Sequence, residues 1–152
     1  MVRAMPNTAI ALRQSMTCLA TENAHDEALS TVQTIFDAVG RTMIINERLM
    51  QAATVLGACG IAFFLRFIRA ASQGGTEVGF HAEEAQLIAS QTALGAASIL
   101  LDSDSHPEEA IDKVTTPMGC TIAGLNEMEH HGLSSALIKG IITSYKKIEN
   151  IT

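Results

Sequence analysis

Most of residues 47–148 is written in helical periodicity, with apolar side chains returning every three or four positions, and this excludes most architectures other than packed helices. Residues 47–73 form one long pattern of this kind, ended by Gly74 and Gly75. Small residues crowd it at Ala52, Ala53, Gly57, Ala58, Gly60 and Ala62. A glycine inside a helix costs about 1 kcal/mol relative to alanine. Gly57 and Gly60 therefore imply either a second backbone passing close by or a break in the helix. Residues 81–101 predict a second helix, with Ala85, Ile88, Ala89, Thr92, Ala96 and Ile99 along one stripe. Residues 102–107 form a polar loop and 108–113 a single helical turn. Residues 122–129 and 134–148 supply the last two helices. Ser134 is placed to cap the latter, whose buried face is Leu137, Ile138, Ile141, Ile142 and Tyr145.

Residues 1–46 differ. Residues 16–20 are a short apolar run that reads as a buried strand. Residues 23–39 put Ala28, Leu29, Val32, Ile35, Phe36 and Val39 on one helical face, with Gly40 as the C-terminal cap. Residues 42–46 read as a second strand. Two strands alone are marginal in water.

With 152 residues, the chain can bury a sizeable core. It is 47% hydrophobic but only 4% aromatic, a balance that suits helices in close backbone contact. The net charge of −6 argues against a nucleic-acid partner. Cys18, Cys59 and Cys120 form no C-x-x-C pair, so neither a zinc site nor a disulfide framework is indicated and a reducing cytoplasm fits best. The most apolar run, residues 55–65, is short of the ~20 residues that cross a bilayer and reads as a buried helix rather than a membrane span.

The chemistry is concentrated in residues 112–125. Pro117 cannot continue a preceding helix, Gly119 permits a tight turn, and a helix begins near Thr121. The N–H groups of Gly119, Cys120 and Thr121 would point out of the helix N-terminus and favour an anion. The hydroxyls of Thr115, Thr116 and Thr121 surround that point. The expected ligand is a small carboxylate with a polar atom beside it. The competing reading makes the threonines ordinary turn and cap residues. His130 and His131 sit about 100° apart on a helix and make a poor pair of metal ligands.

The run Val114-Thr115-Thr116-Pro117-Met118-Gly119-Cys120-Thr121-Ile122-Ala123-Gly124-Leu125, followed by Glu129, Gly132 and Ala136-Leu137-Ile138, resembles the C-terminal signature of pyrroline-5-carboxylate reductases. That family pattern is V-T-S-P-G-G-T-T-I-A-G-L, then an acidic residue, a glycine and an amphipathic helix. Met5-Pro6-Asn7-Thr8 resembles the family's M-P-N-T-P, which lies beside the nicotinamide. His106-Pro107 matches a His-Pro in the loop before the signature.

The resemblance implies a mostly α chain. Residues 47–152 would be a helical dimerisation and substrate-binding domain of the 6-phosphogluconate-dehydrogenase-like type, whose helices interleave with those of a second copy. Residues 1–46 would be a strand–helix–strand remnant of a dinucleotide-binding Rossmann domain. The implied reaction is NAD(P)H-dependent reduction of 1-pyrroline-5-carboxylate to L-proline. Thr116, Gly119, Cys120 and Thr121 would hold the carboxylate, the Thr121 hydroxyl would meet the ring nitrogen as the catalytic group, and Asp104 would lie near that nitrogen. Met5, Pro6, Asn7 and Thr8 would touch the cofactor, NADPH or NADH. No G-x-G-x-x-G follows a strand here, so the chain is expected to be the C-terminal portion of such a reductase, inactive alone, with the cofactor held mainly by an absent segment. No metal, membrane or nucleic acid enters this reading, and assembly beyond the dimer is left open.

Three departures stand out. Met118 replaces the first glycine of P-G-G, Ala9 replaces the proline of N-T-P, and residues 57–63 lose both serines and the proline of S-G-S-G-P-A-Y. Those at Met118 and residues 57–61 favour a first rival, a non-catalytic oligomerisation or ligand-binding module of the same fold; a second rival is a reductase of the same fold class acting on another cyclic imine or a related carboxylate.

Overall fold

The computed structural model describes residues 1–23, 25–103 and 105–150. Helices dominate, and a small sheet lies near the N-terminus. Two compact units are present, Met1–Phe63 with Ile138–Thr152, and Phe64–Leu137.

The first unit is built on a three-stranded sheet in the order β1-β2-β3. Strand β1 is Arg3–Met5, β2 is Ser15–Ala20 and β3 is Gly40–Ile44. β2 and β3 pair in parallel, joined by helix α1 (Asp26–Asp37), so the expected strand–helix–strand unit is present. β1 pairs antiparallel with β2, Met5 opposite Cys18 and Arg3 opposite Ala20. This strand escapes a sequence reading because its three residues carry no alternation. It gives β2 a neighbour on both sides. Ser15, Thr17, Leu19 and Ala20 of β2 are all buried. α1 turns Leu29, Val32, Phe36 and the following Val39 partly inward, while Ile35 stays 61% exposed.

Gly40 does not cap α1. It is the first residue of β3, opposite Ser15, and a Cβ there would lie 2.0 Å from the Ser15 carbonyl oxygen. Close backbone approach, not helix termination, is why a glycine stands at this position.

The long helix spans 31 residues, Glu47–Glu77, and is not uniform. It opens with a 3-10 turn, Glu47–Leu49, capped by the Asn46 side chain, and continues as α2 (Met50–Ala53). Residues Thr54–Cys59 form a wider π turn, in which the Gly60 N–H bonds the Val55 carbonyl, and α3 (Gly60–Glu77) follows. The helix is therefore widened, rather than broken, at its glycines. Met50 and Val55 are buried and complete the core with Leu19 and Ala20. By length and composition this helix is long and apolar enough to cross a membrane. It was expected to be buried, yet only 11% of its most apolar window is, and Leu56, Phe64 and Leu65 are exposed. Nor do Gly74 and Gly75 stop it. At Gly75 an added Cβ would lie 3.0 Å from the Cβ of Ala85, so the glycine serves contact with the next helix. The turn itself uses Gly79, at φ 117°.

In the second unit, α4 (Ala82–Asp102) starts at His81, whose N–H is held 3.0 Å from the Glu84 carboxylate. Of its predicted stripe only Ala85 is buried, with Ala89 partly so, while Ile88 and Ile99 are exposed. Helices α5 (Pro107–Val114), α6 (Cys120–His130) and α7 (Leu133–Glu149) follow, the last running on into the first unit. Ser134 is not the cap of α7, which begins one residue earlier. Its hydroxyl instead donates to Glu129 at 2.6 Å, and Gly132 (φ 78°) makes the turn between α6 and α7. Leu137, Ile141 and Tyr145 of α7 are half-buried, but Ile138 and Ile142 are exposed.

Candidate functional site

The predicted anion site is the turn between α5 and α6. His106 caps α5, its Nδ1 accepting from the Glu108 N–H at 3.2 Å, and Pro107 takes the first helical position. The His-Pro pair thus has a local structural role. Near the other end Lys113 pairs with Glu109 at 2.9 Å, and that hydrogen bond holds the Glu109 carboxyl below its usual range. Thr115 closes the helix, its hydroxyl donating to the carbonyls of Ile111 and Asp112 at 3.2 and 3.1 Å.

Thr116-Pro117-Met118-Gly119 then forms a turn closed by the Gly119 N–H on the Thr116 carbonyl, 2.9 Å. Pro117 at the second position and a positive φ at the third, 61° at Met118, give a type II turn. Glycine or asparagine is the usual residue at that third position. Met118 thus carries a side chain in the left-handed region and points it wholly into solvent. Gly119 is under a second constraint, since a Cβ there would sit 2.6 Å from Thr116 Oγ1 and 2.9 Å from Thr116 O.

Gly119 does not offer its N–H to an anion, as the sequence suggests it would, because the turn uses it. The helix begins at Cys120, one residue before the expected Thr121, and no side chain caps it. The donors at this N-terminus are therefore those of Cys120 and Thr121, both exposed residues, with the exposed Thr116 side chain folded over Gly119. Thr116, Gly119, Cys120 and Thr121 thus lie within six successive positions of one unit. Asp104 lies outside the described residues.

Met5, Pro6, Asn7 and Thr8 belong to the other unit. Met5 ends β1, Pro6 and Asn7 are half-buried, and the exposed Thr8 starts a short 3-10 helix, Thr8–Leu12. Both ends of the Asn7 amide are engaged. Its Oδ1 accepts from the Ala9 N–H at 3.0 Å and its Nδ2 donates to the Gly57 carbonyl at 3.1 Å. The Asn7 backbone N–H donates to Ser15 Oγ, which meets Thr17 Oγ1, both at 3.1 Å. Neither Gly57 with Gly60 nor Gly74-Gly75 with Gly79 lies between a strand and a helix, so none forms a pyrophosphate cradle.

Among the described residues, no group of three or more His, Cys, Asp or Glu is arranged to hold a metal ion. His130 and His131 each turn back on α6, to Asn126 O at 3.0 Å and Glu127 Oε1 at 3.1 Å. Cys120 is exposed, whereas burial pushes the Cys18 thiol up. Sequence reading missed the ion pair between Arg3 and Glu47, which lines a surface hollow with Met1, Ala20, Thr21, Glu22 and Asn23. The two partners stand 44 positions apart, and only the missed strand β1 brings them together.

Comparison with known proteins places this geometry in a family. The family described as pyrroline-5-carboxylate reductase dimerisation matches residues 47–151. Pyrroline-5-carboxylate reductase 1 of Dictyostelium discoideum is 56% identical over 162 residues, covering 99% of this chain and 29% of its own length. A solved pyrroline-5-carboxylate reductase from Coxiella burnetii superposes with a TM-score of 0.94 at 26% identity, covering 99% of this chain and 57% of that one. A pyrroline carboxylate reductase of Plasmodium falciparum, solved with NADP bound, has the same fold, with a TM-score of 0.88 at 24% identity over 96% of this chain and 60% of that one. The chain thus spans less than two thirds of each of these relatives.

Proposed function

Because this chain belongs to the pyrroline-5-carboxylate reductase dimerisation family, we propose that it forms the dimerising, substrate-side part of a reductase that converts 1-pyrroline-5-carboxylate to L-proline. The observation that carries this reading is the uncapped N-terminus of α6, delivered by a type II turn at the position of the signature threonines. Two backbone N–H groups there, with the helix dipole behind them, suit one carboxylate. Each charge-assisted hydrogen bond contributes roughly 1.5–3 kcal/mol. A carboxylate so held brings the neighbouring ring nitrogen within reach of a hydroxyl, and Thr121 supplies one. The Thr116 carbonyl closes the turn, and its hydroxyl lies against Gly119.

When bound, NADPH or NADH supplies the hydride that adds to the C=N carbon. Among the residues of this chain, Met5–Thr8 suit contact with a nicotinamide edge only. The Asn7 amide is engaged within the chain, and the described residues form no cradle for the pyrophosphate.

We further propose a homodimer. Leu56, Phe64, Leu65, Leu87, Leu94 and Ile99 are all more than half exposed in the single chain. Helices that are apolar on their outer faces are completed by another apolar surface. In this reading the long apolar helix meets a second copy rather than a membrane. Three unpaired cysteines fit a reducing cytoplasm.

Met118 favours a second reading, a ligand-binding or oligomerising module without turnover, because it places a bulky group beside the proposed site at a backbone cost. Calorimetric titration with a stable proline analogue tests the site. Saturable binding, weakened about tenfold or more by Thr121→Val through loss of one hydrogen bond, is expected. Binding that Thr121→Val leaves unchanged would remove Thr121 from the site. Steady NADPH oxidation that depends on pyrroline-5-carboxylate would exclude the module without turnover.

A further inference from the structure

We propose that Asn7 is a positioning residue that sets the register of the long helix by holding its π turn open. In a regular α-helix the Gly57 carbonyl would accept from the N–H four residues on, that of Ile61. Ile61 is not a proline, so that bond is chemically available and the sequence does not itself demand the wider turn. In the structure the Asn7 Nδ2 donates to the Gly57 carbonyl at 3.1 Å, and the turn bonds across five residues, Gly60 N–H to Val55 O. Asn7 thus ties a carbonyl of the wide turn to a fixed amide, and the tighter register would turn that carbonyl away from it.

The donor is placed in advance. Asn7 Oδ1 is fixed by the Ala9 N–H, and its backbone N–H by Ser15 Oγ, itself buried and paired with the buried Thr17 hydroxyl. These groups sit on or beside β2, the most buried strand, so the sheet dictates where the amide points. The register matters because a π turn accommodates one extra residue. Converting it to α geometry re-phases the side chains on its two sides by about 100° relative to one another. Val55, which must stay in the core, would then no longer be compatible with the present facing of residues beyond Gly60.

The inference is independent of the proposed reaction, and its test reads conformation in the full chain, so each can fail alone. Asn7→Asp keeps the acceptor for Ala9 but replaces the donor to Gly57 with an oxygen. The register equilibrium should move by about tenfold toward the α form. In NMR spectra the Val55 Hα to Gly60 H–N contact should weaken and a Val55 Hα to Cys59 H–N contact should appear. An unchanged Val55–Gly60 pattern in Asn7→Asp overturns the proposal. If Asn7→Asp does not fold, Asn7→Ala, which removes the donor without adding a charge, decides. A weakened Val55–Gly60 contact in that variant supports the proposal, and an unchanged one overturns it.

Discussion

Met118 shows how one residue can be strained without being buried. Its φ of 61° lies in the region that costs an L-residue about 1 kcal/mol or more, and its side chain meets only solvent within this chain. Met118→Gly is expected to raise stability by about 1 kcal/mol, read as a higher denaturant midpoint at unchanged slope. A lower midpoint would mean that the methionine packs against something the single chain does not show. The sequence marked this position correctly as a departure, because a turn of this type demands a positive φ there. It could not show that the Gly119 N–H is spent within the same turn, since hydrogen-bond closure depends on a carbonyl three residues back. A different limit applies at Glu109, whose partner Lys113 lies one helical turn on, a spacing visible in the sequence. The pair lowers the folded-state carboxyl pKa, so its contribution is present above the ordinary carboxylate pKa and disappears as pH falls through the lowered one. Lys113→Met should therefore raise the Glu109 pKa in an NMR titration, and an unmoved titration would exclude the pair.

Among the elements, glycines separate what is legible in sequence from what is not. Gly40 was assigned to a helix end because glycine commonly stops helices. It stands instead where β3 passes so close to Ser15 that no side chain fits. Gly40→Ala should break the β2–β3 pairing and cost at least about 3 kcal/mol, a value reserved for core-level disruption. A loss below about 1 kcal/mol in chemical denaturation would show that the strands can part at this point without harm. Gly75 likewise reads as a stop in the sequence, but the helix passes through it because Ala85 of the neighbouring helix needs the room. Helices α4 and α6 were legible to within two residues at each end, since polar starts and the Gly132 turn mark their limits locally. The π turn was not, because a six-residue widening leaves the apolar pattern on both sides intact and is sustained by a donor 50 positions away.

For the molecule as a whole, helical periodicity identifies which faces are apolar but not that several of them stay open in the single chain. The stripe on α4 and the face of α7 were expected inside, yet Ile88, Ile99, Ile138 and Ile142 all remain largely accessible. Among the described residues, the fully buried apolar side chains are Leu19, Ala20, Met50 and Val55 in the first unit and Ala85 in the second. A pattern in one sequence cannot distinguish a face that meets its own chain from one that meets a second copy, because both are dry in the working molecule. The family name, with its dimerisation domain over residues 47–151, agrees with the second alternative. The claim that a second copy completes this chain is tested most directly by sedimentation equilibrium of the purified protein at micromolar concentration. A mass of twice the 16.1 kDa chain, or a larger even multiple, is predicted. A stable, folded monomer with its apolar helices open to water would contradict the account.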